Sequence, residues 1–198
     1  MRGLERIYNF LGLTGFILTL FGLYSVFFLF YDKWYTSFVI GGTLFLGYIN
    51  HKLRHGSFFE KLIQQPKTLL LTYGLYVISA LLIDAVGKQL FRLWHYPSLN
   101  PSEQIFHVYL LGYPFAFFMV YESWILIKHS VTYMPLAFII TFLVNAFVHE
   151  IPNTYAGEWI YTIPFITSEI FGVNIVVILG WSLLLKIPFT INKQLFFK

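Results

Sequence analysis

TLLLTYGLYVISALLIDAVG, residues Thr68–Gly87, is the stretch that decides the fold. It carries one charged side chain, Asp84, in a run about as long as the ~20-residue helix that crosses a ~30 Å hydrocarbon layer. A charge this far inside so apolar a run is a costly choice, and it recurs. Asp84 is followed by Trp94-His95-Tyr96 and then by Ser102-Glu103-Gln104-Ile105-Phe106; a second apolar run ends His149-Glu150 and is followed by Trp159-Ile160-Tyr161 and Ser168-Glu169-Ile170-Phe171.

Further runs of spanning length surround this one. The sequence predicts six spans near Tyr8–Phe30, Trp34–Asn50, Thr68–Gly87, Ile105–Lys128, Met134–His149 and Thr167–Ile187, the second short and the fifth modest. With 58% hydrophobic, 21% aromatic and 11% charged residues, the chain reads as an all-α polytopic membrane bundle. Barrel strands would alternate in polarity over about ten residues, and none does. The whole of 1–198 reads as one integral membrane domain. Residues 1–66 hold two spans and an amphipathic segment, 67–128 a first acid–aromatic hairpin, and 129–198 a second. Hairpins entering from the same side would be related by an axis along the membrane normal.

Charge sets the expected orientation. Lys and Arg favour the cytoplasmic loops, and six spans with an inner N-terminus put ten of the 13 basic residues inside: Arg2, Arg6, Lys52, Arg54, Lys61, Lys67, Lys128, Lys186, Lys193 and Lys198. Lys33, Lys88 and Arg92 fall outside, with Asp32, Asp84, Glu103, Glu150, Glu158 and Glu169. Both termini are therefore expected in the cytoplasm and both copies of the pattern at the outer face. The apolar stretch after Met1–Arg6 is too long for a signal-peptide core and lacks a small-residue cleavage site, so it reads as a retained span. The net charge of +4 is spread over loops, where it meets anionic lipid headgroups rather than nucleic acid.

Within the first 66 residues, Gly12, Gly15, Thr19 and Gly22 share one helical face, which lets another helix approach closely. Phe58, Phe59, Leu62 and Ile63 share a face of a short segment that reads as a helix on the inner surface, ended by Pro66.

The acids divide by position. Ser102 and Ser168, each just before a Glu at a predicted helix start, suit N-caps, and Glu103 and Glu169 suit the helix dipole there. Asp84 and Glu150 end their predicted helices, where an acid opposes the dipole, so they are the stronger functional candidates. Trp94, Tyr96, Trp159 and Tyr161 read either as an interfacial aromatic belt or as a binding wall. Glu122, amid Phe117, Phe118, Val120 and Trp124, either joins a substrate site, snorkels inward or pairs with Lys128 or His129.

Several chemistries are absent from the sequence. There is no cysteine, hence no disulfide, thiolate nucleophile or Cys-ligated metal. His149-Glu150 opens like a zinc-protease motif, but Asn153 stands where its second His is required. His51 and His55 have an H-x3-H spacing without the further clusters that a di-iron site needs. No P-loop, dinucleotide fingerprint or nucleophile elbow occurs, and neither cofactor nor metal is expected.

The run Trp94-His95-Tyr96-Pro97, then Pro101-Ser102-Glu103-Gln104 leading into an apolar span, resembles the membrane lycopene-cyclase domain of carotenoid biosynthesis. The stretch from Glu150 through Gly157, Trp159 and Tyr161 to Trp181 is similar to carotenoid hydratase-type membrane proteins. The resemblance covers two short windows. Gln104 replaces the second Glu of the P-x-E-E element, and the later copy has no proline. Six-span bacterial membrane proteins with an acid and a W-x-Y-P outer loop are equally similar. The resemblance implies a bacterial cell membrane, a hydrophobic isoprenoid ligand and Glu103 as an acid that protonates a polyene.

Two functions remain in view. One is acid catalysis on an isoprenoid or other lipid, with Asp84, Glu103, Glu150 and Glu169 as candidate acids and Trp94, Tyr96, Trp159 and Tyr161 holding the cation. The other is a substrate-binding, transport or accessory role without chemistry. Membrane lipids and one apolar ligand are the expected partners.

Overall fold

The structure, a computed structural model, describes residues 2–196, without the side chains of residues 2–4, 194 and 196. Lys198 and the side chain of Arg2, both counted above among the inner basic residues, lie outside the described part. Among the described residues seven helices make an all-α fold: α1 (Arg2–Leu29), α2 (Tyr35–Lys52), α3 (Phe58–Gln64), α4 (Pro66–Leu90), α5 (Pro101–Ser130), α6 (Met134–Ala156) and α7 (Ile175–Phe196). α4 widens into a π-helix at Ala85–Leu90, directly after Asp84, and α5 does so over Gln104–Gly112. Such π stretches recur at functional sites because they re-aim side chains.

Among the described residues five helices, α1, α4, α5, α6 and α7, are long and apolar enough to cross a membrane. The expected sixth, α2, falls short of that standard. Tyr35, Thr36 and Ser37 at one end and Asn50, His51 and Lys52 at the other dilute its apolar centre. It can carry them because it is an inner helix, packed between α1 and α5. Glycine makes the α1–α2 contact close: a Cβ on Gly15 would lie 2.6 Å from the Phe45 backbone nitrogen, and one on Gly41 2.8 Å from the Gly15 carbonyl.

α5 is the hub. In its apolar window 56% of residues are buried, against 22% to 33% in the other four. It contributes to all three core clusters: Ala116 and Met119 pack with Val26, Trp34 and Phe38; Phe117, Phe118 and Ile125 with Leu62 and Tyr76; Val120 with Ala146, Val177 and Trp181. The outward faces are apolar instead, including Phe10, Leu13, Leu20, Leu70, Leu82, Leu179 and Leu183. A water-soluble bundle has the reverse pattern.

Between the helices the chain makes two small ribbons. β1 (Trp94–His95) pairs antiparallel with β2 (Ile160–Tyr161), and β3 (Glu169–Ile170) with β4 (Val173–Asn174). The second ribbon corrects the expected start of the last helix. Phe171 (φ 53°) and Gly172 (φ 76°) form a tight turn that folds Glu169–Asn174 back as a hairpin, so α7 begins at Ile175 and not near Thr167. The Asn174 side chain, not Ser168, accepts from the first-turn N–H of Val176, at 2.9 Å.

Other boundaries differ as well. α6 runs to Ala156 and ends where Gly157 turns left-handed (φ 66°), which leaves Glu150 well inside the helix rather than at its end. Pro66 occupies the first turn of α4 as well as closing α3, where its missing N–H costs nothing.

Candidate functional site

Both copies of the acid–aromatic pattern come to one end of the bundle, and β1 and β2 join them. Trp94 pairs with Tyr161 and His95 with Ile160. In this register a two-fold rotation through the His95–Ile160 pair carries Trp94 onto Trp159 and Tyr96 onto Tyr161. That is the same correspondence as the sequence repeat.

The acids sit beneath this ribbon as acceptors. Asp84 is 1% exposed and receives four donors. Its Oδ1 accepts from Trp94 Nε1 (3.2 Å), Tyr96 Oη (3.3 Å) and Tyr113 Oη (3.2 Å), and its Oδ2 from Tyr109 Oη (2.9 Å). Lys88 stands 4.0 Å from Oδ2. Glu150, 3% exposed, receives three donors. Its Oε1 accepts from Tyr161 Oη (2.9 Å) and Trp181 Nε1 (2.9 Å), and its Oε2 from Trp159 Nε1 (3.1 Å). Each acid therefore holds the Trp and Tyr of its own copy plus donors from the next helix, two for Asp84 and one for Glu150. Burial pushes the pKa values of Tyr96 and Tyr161 well above the usual phenol range, so both remain donors.

The aromatic rings wall a cavity of about 670 Å³. Trp94, Tyr96, Tyr113, Trp159, Tyr161 and Trp181 line it, together with apolar side chains such as Leu82, Phe91, Val108 and Leu184. The size lies within the ~300–1,000 Å³ range of small-molecule sites. Glu150 reaches the wall; Asp84 stays behind its donors. A second buried carboxylate, Glu158, is also on the wall. It is 2% exposed, and its Oε2 accepts the Tyr35 backbone N–H at 3.2 Å. Burial pushes its pKa up to about 8, with help from nearby Asp32 and against the pull of the Tyr35 N–H and Lys33. Beside it, Tyr35 Oη lies 2.7 Å from Nδ1 of the fully buried His149.

The remaining sequence candidates lie elsewhere. Glu103 completes a capping box with Asn100, whose side chain accepts the Glu103 N–H at 3.0 Å, and it pairs with Lys33. Asn100, and not Ser102, is the cap. Glu169 is exposed in β3, with no helix start to complement. Glu122 is fully buried in the other half of the bundle, away from the cavity wall. It accepts from Asn50 Nδ2 (2.6 Å), Ser57 Oγ (2.8 Å) and the Phe59 N–H (2.7 Å), so it ties α3 to α2 and α5 and neither snorkels nor pairs with Lys128 or His129. His51 contacts Glu60 and Glu5, whereas His55 stacks on His129, so the H-x3-H spacing does not converge on one point.

Sequence reasoning missed Glu158, Tyr109, Tyr113 and the tie between Tyr35 and His149. Glu158 had a signal in its position directly before Trp159. The tyrosines had none, because one of many aromatic residues in an apolar helix does not announce a partner 25 or 29 residues away. No family model, curated protein or solved structure matches this chain.

Proposed function

We propose that the protein is a multi-pass membrane protein whose cavity, at the outer face, takes up a long apolar ligand of the isoprenoid class and transforms it by acid catalysis. The observation that carries this reading is the aromatic-walled apolar cavity with buried carboxyl groups on its wall. An alkene held there would meet a proton donor in a dry site, and the resulting cation would meet Trp and Tyr faces, each worth about 0.5–2 kcal/mol to a desolvated cation. Asp84 and Glu150 would act mainly by fixing those rings and by supplying negative charge.

Six helices, α2 included, run between the two ends of the bundle. Lys33, Lys88 and Arg92 are at the ribbon end, and Arg6, Lys52, Arg54, Lys61, Lys67 and Lys128 are at or near the helix ends opposite. Under the positive-inside rule the ribbon end is the outer one, with both termini cytoplasmic. The two-fold relation of the Trp-x-Tyr segments supports a duplicated hairpin about an axis along the membrane normal.

The test is expression in a polyene-producing bacterial host with product analysis, comparing the natural chain with Glu150→Gln and Asp84→Asn at matched membrane levels. A new product that the Glu150 variant fails to make is the expected outcome. An unchanged polyene profile with the natural chain in the membrane would sink the catalytic reading for those substrates. One observation favours binding without chemistry: Asp84 has its acceptor capacity filled. In that case an unaltered polyene co-purifies with the protein.

A further inference from the structure

We infer that Glu158, rather than Asp84 or Glu150, is the carboxylic acid that meets the ligand and exchanges a proton with it. This assignment rests on the acid-catalysis reading above and names the donor within it.

The argument is one of spent and unspent acceptor sites. A carboxylate offers about four lone-pair sites and a carboxylic acid fewer, since one oxygen bears the proton. Asp84 has four donors on it and Glu150 three, and three of those seven are indole N–H groups, which can only donate. Each acid is thus built to stay an acceptor. Glu158 is built differently. Its only hydrogen-bond partner among the described residues is the Tyr35 N–H on Oε2, which leaves Oε1 without a donor in a side chain that lines the cavity.

Location adds a second reason. Glu158 lies in the segment between α6 and β2, outside the long apolar helices, and the charged groups near it are Asp32 and Lys33 of the α1–α2 turn. Lys33 is itself held by Glu103. Glu158 therefore has the cavity on one side and the polar end of the bundle on the other, and it can recover a proton that it has given up. At neutral pH its raised pKa keeps it protonated.

The step balances without a co-reactant. The π electron pair of a trisubstituted alkene takes the Glu158 proton; one carbon gains a C–H bond, its neighbour becomes a tertiary cation, and the carboxyl group becomes a carboxylate. Loss of a proton from a carbon beside the cation, to that carboxylate, forms the new double bond and restores the acid. Glu150 and the indole and phenol faces stay unchanged and hold the positive charge while it lasts.

The experiment uses dicyclohexylcarbodiimide, an apolar reagent that adds to protonated carboxyl groups, on the full-length protein in detergent micelles, with adducts mapped by mass spectrometry. The expected adduct is on Glu158. Its yield falls about tenfold from pH 7 to pH 9, as an acid titrating near 8 requires. An adduct on Glu150 or Asp84 in its place, or none on Glu158, overturns the assignment whatever the protein's reaction proves to be. In the polyene-producing host, Glu158→Gln should keep the polyene bound while conversion falls on the order of 100-fold or more, with partial return in Glu158→Asp. Full conversion by Glu158→Gln overturns the assignment and leaves acid catalysis standing. A natural chain that binds polyene without converting it, yet carries the adduct on Glu158, marks the failure of the catalytic reading instead.

Discussion

The two copies of the acid–aromatic pattern use the same parts to different ends. Each buried acid gathers a Trp-x-Tyr and one or two donors from the following helix, and the ribbon between them is two-fold symmetric. Around Asp84 the copy is closed: four donors, a lysine at 4.0 Å and no place on the cavity wall. Around Glu150 it is open: the acid reaches the wall, Glu158 precedes the Trp, and His149 and Tyr35 stand beside it. Leu93 occupies the place before the Trp in the first copy. One copy thus serves as a staple and the other as a site, and the single added carboxyl is the largest chemical difference between them.

That difference should appear first in the pH dependence of stability. The Glu158 pKa is raised in the folded chain, from about 4.5 to about 8. Below pH 4.5 the group is protonated whether folded or not and costs nothing. As pH rises toward 8 the unfolded chain releases the proton while the folded chain keeps it, so stability is lost across that window. The loss is up to about 5 kcal/mol by linkage. Unfolding in micelles at pH 5 and pH 8 should show a steeper loss in the natural chain than in Glu158→Gln. Equal slopes in both would mean that the open copy is not distinguished by this acid.

The next contrast is between the acids themselves. Each oxygen of Glu150 meets an indole N–H, so whichever one Glu150→Gln converts to NH2 faces a donor that cannot accept. Leaving such a buried group unpaired costs roughly 1–3 kcal/mol. Asp84 Oδ2 has one hydrogen-bond donor, the Tyr109 phenol, whose oxygen can accept from an amide, and Lys88 stands off at 4.0 Å. Asp84→Asn should therefore cost less, under about 1 kcal/mol by the same reasoning. Thermal unfolding of the two variants side by side tests the ranking, and a reversal would show that Asp84 is the open acid. Three residues after each acid the copies differ again. Gly87 has the Trp94 ring where a Cβ would be, whereas Asn153 bonds the Trp159 carbonyl at 2.7 Å. Gly87→Ala should cost about 1–2 kcal/mol by overpacking and disturb the Trp94 fluorescence.

Much of this was legible in the sequence, for identifiable reasons. Helix length and hydropathy gave α1, α4, α5 and α6, because the cost of an unpaired backbone in apolar surroundings leaves few alternatives. The cost of a buried charge pointed to Asp84 and Glu150, but not through their places in the helices: Glu150 lies inside α6, and α4 continues past Asp84 as the π stretch Ala85–Leu90, so neither acid ends its helix. The start of α7 was missed because a Phe171-Gly172 turn inside an apolar run has no hydropathy signal. Glu158 was missed because a loop acid directly after a glycine looks solvated in one dimension; only the packing of Tyr35 and Trp159 around it makes it a cavity group.

The smallest expected effect concerns the last pair of acids, and it bears on the resemblance that made Glu103 a proton donor. Glu103 and Glu169 both follow a serine, yet one closes a capping box and pairs with Lys33 while the other is exposed in a hairpin. Gln can still accept the Asn100 N–H, so Glu103→Gln loses only an ion pair that solvent already screens. Its unfolding midpoint should fall slightly, that of Glu169→Gln not at all, and polyene conversion should be unchanged in both. If Glu103→Gln instead abolishes conversion while keeping its midpoint, the proton comes from the first copy after all. The closed and open labels then exchange places, because a near-isosteric change that spares the fold can silence the reaction only by removing the group that performs it.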